Sequence, residues 1–217
     1  MEDPLDGQGQ HWESTFSRKP DMFGAEASAP AWAAVELFKR SGVASILELG
    51  GGQGRDTLFF ARSGFSIRTL DYSESAVANI TDKAAELGLT GAVKTLRHDI
   101  RERLPFEDGT FDACYSHMLF CMALTRQQLE SLASEVRRVL RPGGLHVYTV
   151  RTTEDAHYQT GIHRGENMYE VDGFIVHFFS REMVDHLAKG YEILSVENFD
   201  EGKLPRKLYR VTLRAKE

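Results

Sequence analysis

Three glycines at alternate positions, Gly50, Gly52 and Gly54, follow the run Ile46-Leu47-Glu48-Leu49 and lead straight into Arg55-Asp56-Thr57-Leu58. The apolar run reads as a buried strand, and the residues after Gly54 read as a helix. Such a turn presents bare backbone, so a polar or charged ligand can lie against it at the helix start. The dinucleotide fingerprint G-x-G-x-x-G is not met, because from Gly50 its third glycine would fall on Arg55. Glu48 is a second oddity, since a carboxylate inside an apolar strand needs partners.

Further polar residues stand where later strands end. Asp71 closes the run from Ser66 to Leu70, 17 residues after Gly54, where a carboxylate could hold a ribose through two hydroxyls. Asp71-Tyr72-Ser73 also leads into a helix, so a capping role is the plainer alternative. Asp99, after the strand Val93 to Leu96, is placed to meet an adenine amino group or to serve as a loop acid. Ser116 and His117 follow the strand Phe111 to Tyr115. Ligands of open parallel sheets bind outside the carboxyl ends of the strands, which is where all of these residues fall.

The elements that must position them alternate regularly. A helical pattern from Ala31 to Arg40 precedes the first strand, residues 44 to 49. Helices are predicted over Arg55 to Ser63, Glu74 to Leu87, and from a Thr125/Gln128 capping box to Leu140. Pro142-Gly143-Gly144 then turns the chain into a fifth strand, Leu145 to Val150. Repeated strand-helix-strand units call for a parallel sheet with helices on both faces. Residues 151 to 179 show no clear periodicity and read as a long excursion over the sheet edge. Ser180 caps a last helix, and strands Tyr191 to Glu197 and Lys207 to Arg214 form an antiparallel edge hairpin around Gly202 and Pro205.

At 217 residues, 41% hydrophobic and 27% charged, the chain reads as one globular domain, 1–217. Within it, 1–40 form an N-terminal arm and helix, 44–150 a cofactor-binding core, 151–179 a substrate-side loop, and 180–217 the terminal helix and hairpin. A net charge of −6 argues against nucleic acid and anionic membrane as partners. The polar start, Met1 to Gln10, is no signal peptide, and no apolar run could span a bilayer. Cys114 and Cys121 suggest no disulfide framework, so a cytoplasmic protein with reduced thiols is expected. The histidines and cysteines show no C-x-x-C, H-x-x-H or H-E-x-x-H spacing, and no metal site is expected.

The pattern E-x-G-x-G-x-G at Glu48 to Gly54, with Asp71, Asp99 and L-R-P-G-G at Leu140 to Gly144, resembles the core of class I S-adenosylmethionine-dependent methyltransferases. Leu104 to Asp112 (L-P-F-E-D-G-T-F-D) and the ending His177-Phe178-Phe179-Ser180 resemble their small-molecule branch. The opening, H-W-E-S-T-F and K-P-D-M-F-G, is loosely similar to the tellurite-resistance and thiol methyltransferases. The resemblance implies a doubly wound, Rossmann-like fold with a seven-stranded, mostly parallel sheet of order 3-2-1-4-5-7-6. It implies that Gly50, Gly51, Gly52 and Gly54 hold the methionine portion and ribose of S-adenosylmethionine, the product being S-adenosylhomocysteine. Asp71 would take the ribose hydroxyls, Tyr72 would pack along the adenine, and Asp99 with Ile100 would hold its edge. Glu48 would support the turn, and Ser116 and His117 would lie near the transferred methyl.

An oxygen or amine acceptor would need a proton removed, and His117 is the candidate base; a loop histidine is the equal alternative. Substrate-side candidates are Arg151, Tyr158 and His177, with Trp12 and Phe16 sharing a helix face as either a staple or a roof. The expected activity is methyl transfer to a small-molecule acceptor. The competing reading is a non-catalytic S-adenosylmethionine sensor or partner subunit, because binding and catalysis use different residues. Neither the acceptor nor the oligomeric state can be read from these residues.

Overall fold

Strand β1 (Ser45–Leu49) lies in the middle of a seven-stranded sheet, and four of its five residues are buried. The computed structural model describes residues 7–19, 22–202 and 206–216. Parallel neighbours β2 (Ser66–Asp71) and β4 (Phe111–His117) flank β1, with β3 (Val93–Arg97) and β5 (Leu140–Arg151) beyond them. The hairpin of β9 (Tyr191–Glu201) and β10 (Arg206–Ala215) completes the sheet, with β10 antiparallel to both β5 and β9. The order β3-β2-β1-β4-β5-β10-β9 is the expected 3-2-1-4-5-7-6 once the strands of a separate small sheet are set aside. Pro205, in the β9–β10 connection, and Pro20 and Asp21 of the opening motif lie outside the described residues.

Helices cover both faces because successive right-handed crossovers place them there. On one face lie α2 (Ala29–Arg40), α3 (Arg55–Arg62) and α4 (Glu74–Glu86), sharing a core with Ile46, Ile67 and Tyr115. On the other, α5 (Arg126–Val139) and α6 (Arg181–Leu187) pack with Leu47, Leu49, Tyr148 and Val211. Each such aliphatic side chain contributes about 1.5–3 kcal/mol on burial. The caps are the ones the sequence announces. Ser73 and Ser180 accept from Ala76 and Met183, and Thr125 with Gln128 closes a full capping box. Cys114 and Cys121 are both buried, and burial pushes their thiols up, to about 11 for Cys121.

Two segments depart from expectation. The arm forms a regular helix α1 (Gln8–Arg18), and residues 151 to 179 are no aperiodic loop. They carry a three-stranded antiparallel sheet, β6 (Ile162–His163), β7 (Met168–Val171) and β8 (Phe174–His177). Strands of two to four residues are too short to show a period. The turn between β7 and β8 was nevertheless legible. Asp172 and Gly173 both adopt positive φ, 52° and 83°, the conformation that an Asp-Gly pair between apolar residues favours in a two-residue hairpin.

Candidate active site

The carboxyl ends of β1, β2, β4 and β5 open into one cavity of about 1400 Å³. That exceeds the roughly 300–1,000 Å³ of an ordinary small-molecule pocket and leaves room for two ligands side by side. Glycines 50, 51 and 52 line it, but they do different work. Gly50 and Gly52 have φ of +74° and +54°, which only glycine adopts without strain. A Cβ on Gly52 would meet only Phe16 Cζ, at 3.7 Å, so that position faces the cavity. On Gly51 it would fall 2.2 Å from Thr69 Cγ2, so there glycine serves close packing on β2. Gly54 corrects the expectation. It does not line the cavity; it precedes α3 in the left-handed conformation, and its Cβ would lie 2.9 Å from Ile80 Cγ1.

Acidic side chains set the turn from below and from the side. Glu48 is 3% exposed and accepts from the Thr57 hydroxyl and, at 2.9 Å, from that of Thr69. Burial pushes its carboxyl up to about 7, against the pull of the Thr57 hydrogen bond. Asp71 accepts the Gly52 N–H at 2.9 Å and the Ser73 N–H at 3.0 Å, so it supports the turn and the entry to α4, while the cap itself is Ser73. Burial raises its pKa, opposed by those two backbone donors. Tyr72, Asp99 and Ile100 line the same end. Asp99 forms a two-pronged ion pair with Arg101, at 3.1 and 2.7 Å. Burial would raise Asp99, but the Arg101 donors outweigh it and hold the carboxyl below its usual value. His98 also lines the cavity, and its buried Nε2 has no partner.

Helix α1 roofs this end. Trp12 and Phe16 line the cavity with ring centroids 5.4 Å apart, and Trp12 reaches Phe174 at 4.7 Å. The Gln8 amide pairs with the edge of the small sheet, donating to Gly173 O at 2.9 Å and accepting from Ile175 N–H at 3.1 Å. On the other side Glu13 accepts the Ser73 hydroxyl at 2.6 Å and the Ser75 N–H at 3.3 Å, and the Ser73 bond leads in holding its carboxyl low. Gln53 in the turn accepts the Phe23 N–H and donates to Lys19 O, fixing the chain that leaves α1.

Beyond the turn, the exit of β4 is strained. Met118 has a φ of 64°, uncommon without glycine, and is held by Thr149, whose O and Oγ1 both accept its N–H. The Thr149 hydroxyl also lies 2.8 Å from His117 Nδ1. Because Thr149 Oγ1 accepts from Met118, its own proton can go to Nδ1, which leaves His117 protonated on Nε2. That nitrogen meets Glu201 Oε1 at 3.3 Å, and Arg55 Nη2 lies 3.7 Å from the same oxygen. Burial would raise Glu201, but His117 and Arg55 hold it ionised below its usual value. Both nitrogens of His117 are therefore occupied, and Glu201 is the proton-accepting end of the pair. Nothing in the sequence spacing pointed to Glu201, which comes to the site from the far hairpin.

Arg151 lines the cavity, as expected, but three other candidates do not. Ser116 is enclosed within β4, its Oγ unpartnered, because strand alternation turns it into the sheet. His177 is fully buried and turned away while its neighbours Val176 and Phe178 face in; its Nδ1 meets Leu124 O at 2.7 Å, and burial lowers its pKa. Tyr158 stands behind the wall, edge-on to Tyr169 at 5.6 Å and bonded to Asn167. Among the described residues, no group of three or more potential metal ligands comes together.

Residues 46–144 match the family model for a methyltransferase domain. An uncharacterized methyltransferase of Synechocystis sp. is 34% identical over 100 residues, which are 46% of this chain and 43% of that protein. A probable S-adenosyl-L-methionine-dependent methyltransferase, TehB of Haemophilus influenzae, is 24% identical over 66% of this chain and 46% of its own length. The chain thus spans less than half the length of these relatives. In fold it is similar to the 1,6-didemethyltoxoflavin-N1-methyltransferase of Burkholderia thailandensis, solved with 1,6-didemethyltoxoflavin and S-adenosylhomocysteine. The TM-score is 0.76 at 16% identity, covering 98% of this chain and 88% of that one. A turn whose glycines leave the cavity open, with buried acids beside it, fits an S-adenosylmethionine cradle. Over residues 46–144 the chain is thus similar to a methyltransferase domain, on a fold it shares with a solved S-adenosylmethionine-dependent methyltransferase.

Proposed function

We propose that this protein transfers a methyl group from S-adenosylmethionine to a small-molecule acceptor by in-line displacement. The observation that carries the reading is a single cavity lined by two different sets of residues. One end is the glycine turn with Asp71, Tyr72 and Asp99; the other is walled by β5 and the small sheet. When bound, S-adenosylmethionine supplies an activated methyl carbon and a thioether leaving group, so the chain has to align, desolvate and accept a proton. Gly50 and Gly52 would admit the methionine portion, and Asp71 would take the ribose hydroxyls. Tyr72 and Ile100 would flank the adenine, with Asp99 at its edge. Trp12 and Phe16 would exclude water from above. An acceptor bearing an N–H or O–H would hand its proton to Glu201, oriented by His117. A cytoplasmic setting suits the two reduced, buried thiols.

The test is release of S-adenosylhomocysteine with labelled methyl transfer across hydroxylated, amine, thiol and chalcogen-oxyanion acceptors. Turnover with one class supports the proposal. Tight binding of S-adenosylmethionine with turnover of none would favour a sensor.

A further inference from the structure

Arg151 is 6% exposed, and it is fixed from two sides. Its Nε donates to Asp155 Oδ2 at 3.1 Å, its Nη2 pairs with Asp155 Oδ1, and its guanidinium carbon sits 5.2 Å from the centroid of Phe178. The same Nη2 lies 3.0 Å from His157 Nδ1. A guanidinium has only donors, so Nδ1 must accept, and the neutral ring then carries its proton on Nε2. Asp155 offers nothing to a ligand, because it also receives the His157 N–H at 2.9 Å and the Lys207 N–H at 3.0 Å. Arg151 Nη1 and His157 Nε2 have no partner among the described residues, and both side chains line the cavity. Arg151 and His157 therefore present donors to the cavity, while the neighbouring Asp155 is fully engaged.

The walls leading to it are apolar and aromatic. Met118, Met122, Tyr169, Phe174, Val176 and Phe178 line them, with Tyr169 and Phe178 centroids 6.3 Å apart. Such walls gain from a flat, apolar ligand. They give nothing to a small, fully hydrated oxyanion, which would lose its water without enough donors to replace it.

We propose that the acceptor chamber binds a planar, conjugated ring compound carrying a carboxylate or comparable anionic oxygen, seated against Arg151 and His157. The identification rests on the methyltransferase reading, since the other end of the cavity is assigned to the cofactor. It sets this chamber apart from one built for selenium or tellurium oxyanions.

The experiment is calorimetry on the full chain saturated with S-adenosylhomocysteine, using 2-naphthoate, its neutral analogue 2-naphthylmethanol, and selenite as probes. Naphthoate should bind at least about tenfold more tightly than naphthylmethanol, as expected of a charge-assisted hydrogen bond, and selenite should give no heat of binding. His157→Leu should cut the preference for naphthoate several-fold and leave naphthylmethanol unchanged, whereas Tyr169→Ala should weaken both naphthalenes alike. Equal affinity for the two, no binding of either, tighter binding of selenite, or a preference untouched by His157→Leu would overturn the proposal. Binding of S-adenosylhomocysteine, measured in the same series, reports on the methyltransferase reading separately; its loss would sink that reading and not merely the ligand class.

Discussion

Glu13 accepts the Ser73 hydroxyl at 2.6 Å, and this contact ties the roofing helix α1 to the first turn of α4. The Ser75 N–H also reaches Glu13, so one carboxylate on the arm serves the start of a helix that frames the glycine-turn end of the cavity. Gln8 makes the opposite attachment, to the edge of the small sheet. Helix α1 thus bridges the two ends of the cavity, and Trp12 and Phe16 occupy the span.

Glu13→Ala should free one side of that bridge. Affinity for S-adenosylhomocysteine should fall by about 1–2 kcal/mol, the worth of charge-assisted hydrogen bonds at a partly exposed site. Trypsin should cut after Arg18 faster than in the parent protein. A cleavage time course unchanged by the substitution would show that Glu13 does not hold the arm.

Gly52→Val and Gly51→Ala should fail in different ways. The Gly52 side chain would project into the cavity, so cofactor binding should be lost while a cooperative melt survives with modest loss from the positive φ. At Gly51 the added carbon would overlap Thr69 Cγ2, and the fold itself should lose about 1–3 kcal/mol. Melting curves paired with calorimetry separate the two. Retained cofactor affinity in Gly52→Val would move the cofactor elsewhere.

Asp71→Ala should weaken S-adenosylmethionine binding by about 1.5–3 kcal/mol through loss of a charged acceptor. It should also lower stability, since the Gly52 and Ser73 N–H groups lose their partner. Calorimetry showing the parent affinity would remove Asp71 from the ribose.

Glu48 makes a pH prediction whose sign is set by burial. Its folded carboxyl, pushed up to about 7, holds a proton more tightly than the unfolded chain, whose value lies near 4.5. Its contribution is therefore fully present below about pH 4.5 and is lost as pH rises through 7. Glu48→Gln keeps an acceptor for Thr57 and Thr69 but cannot ionise. Urea unfolding between pH 5 and pH 8 should show the variant losing less stability than the parent, by up to about 3 kcal/mol. Parallel pH profiles would mean that Glu48 ionises without penalty.

The glycine-turn half of the cavity was legible because its determinants are local. Glu48, Gly50 to Gly52, Asp71 and Asp99 lie at strand ends that hydrophobic runs and caps locate directly, and β1 to β5 bring them to one edge of the sheet. Gly54 was placed at the right turn with the wrong partner, since contact with Ile80 of α4 depends on how α4 crosses behind it. Ser116 and His177 were polar residues near the right strand ends, but which face each side chain takes is set by register and by the small sheet.

The sequence by itself determined a parallel sheet with helices on both faces, a glycine turn at the end of its first strand, and the acids that flank it. Those follow from periodicity, capping and spacing along a single stretch of chain. Only the tertiary structure decided what lines the other end of the cavity. Glu201 reaches His117 across 84 residues, His157 reads out Arg151 through a shared hydrogen bond, and Gln8 clasps a hairpin 165 residues away. Such contacts join side chains whose separation along the chain carries no period. They exist only once the sheet, the arm and the two hairpins have packed around one cavity.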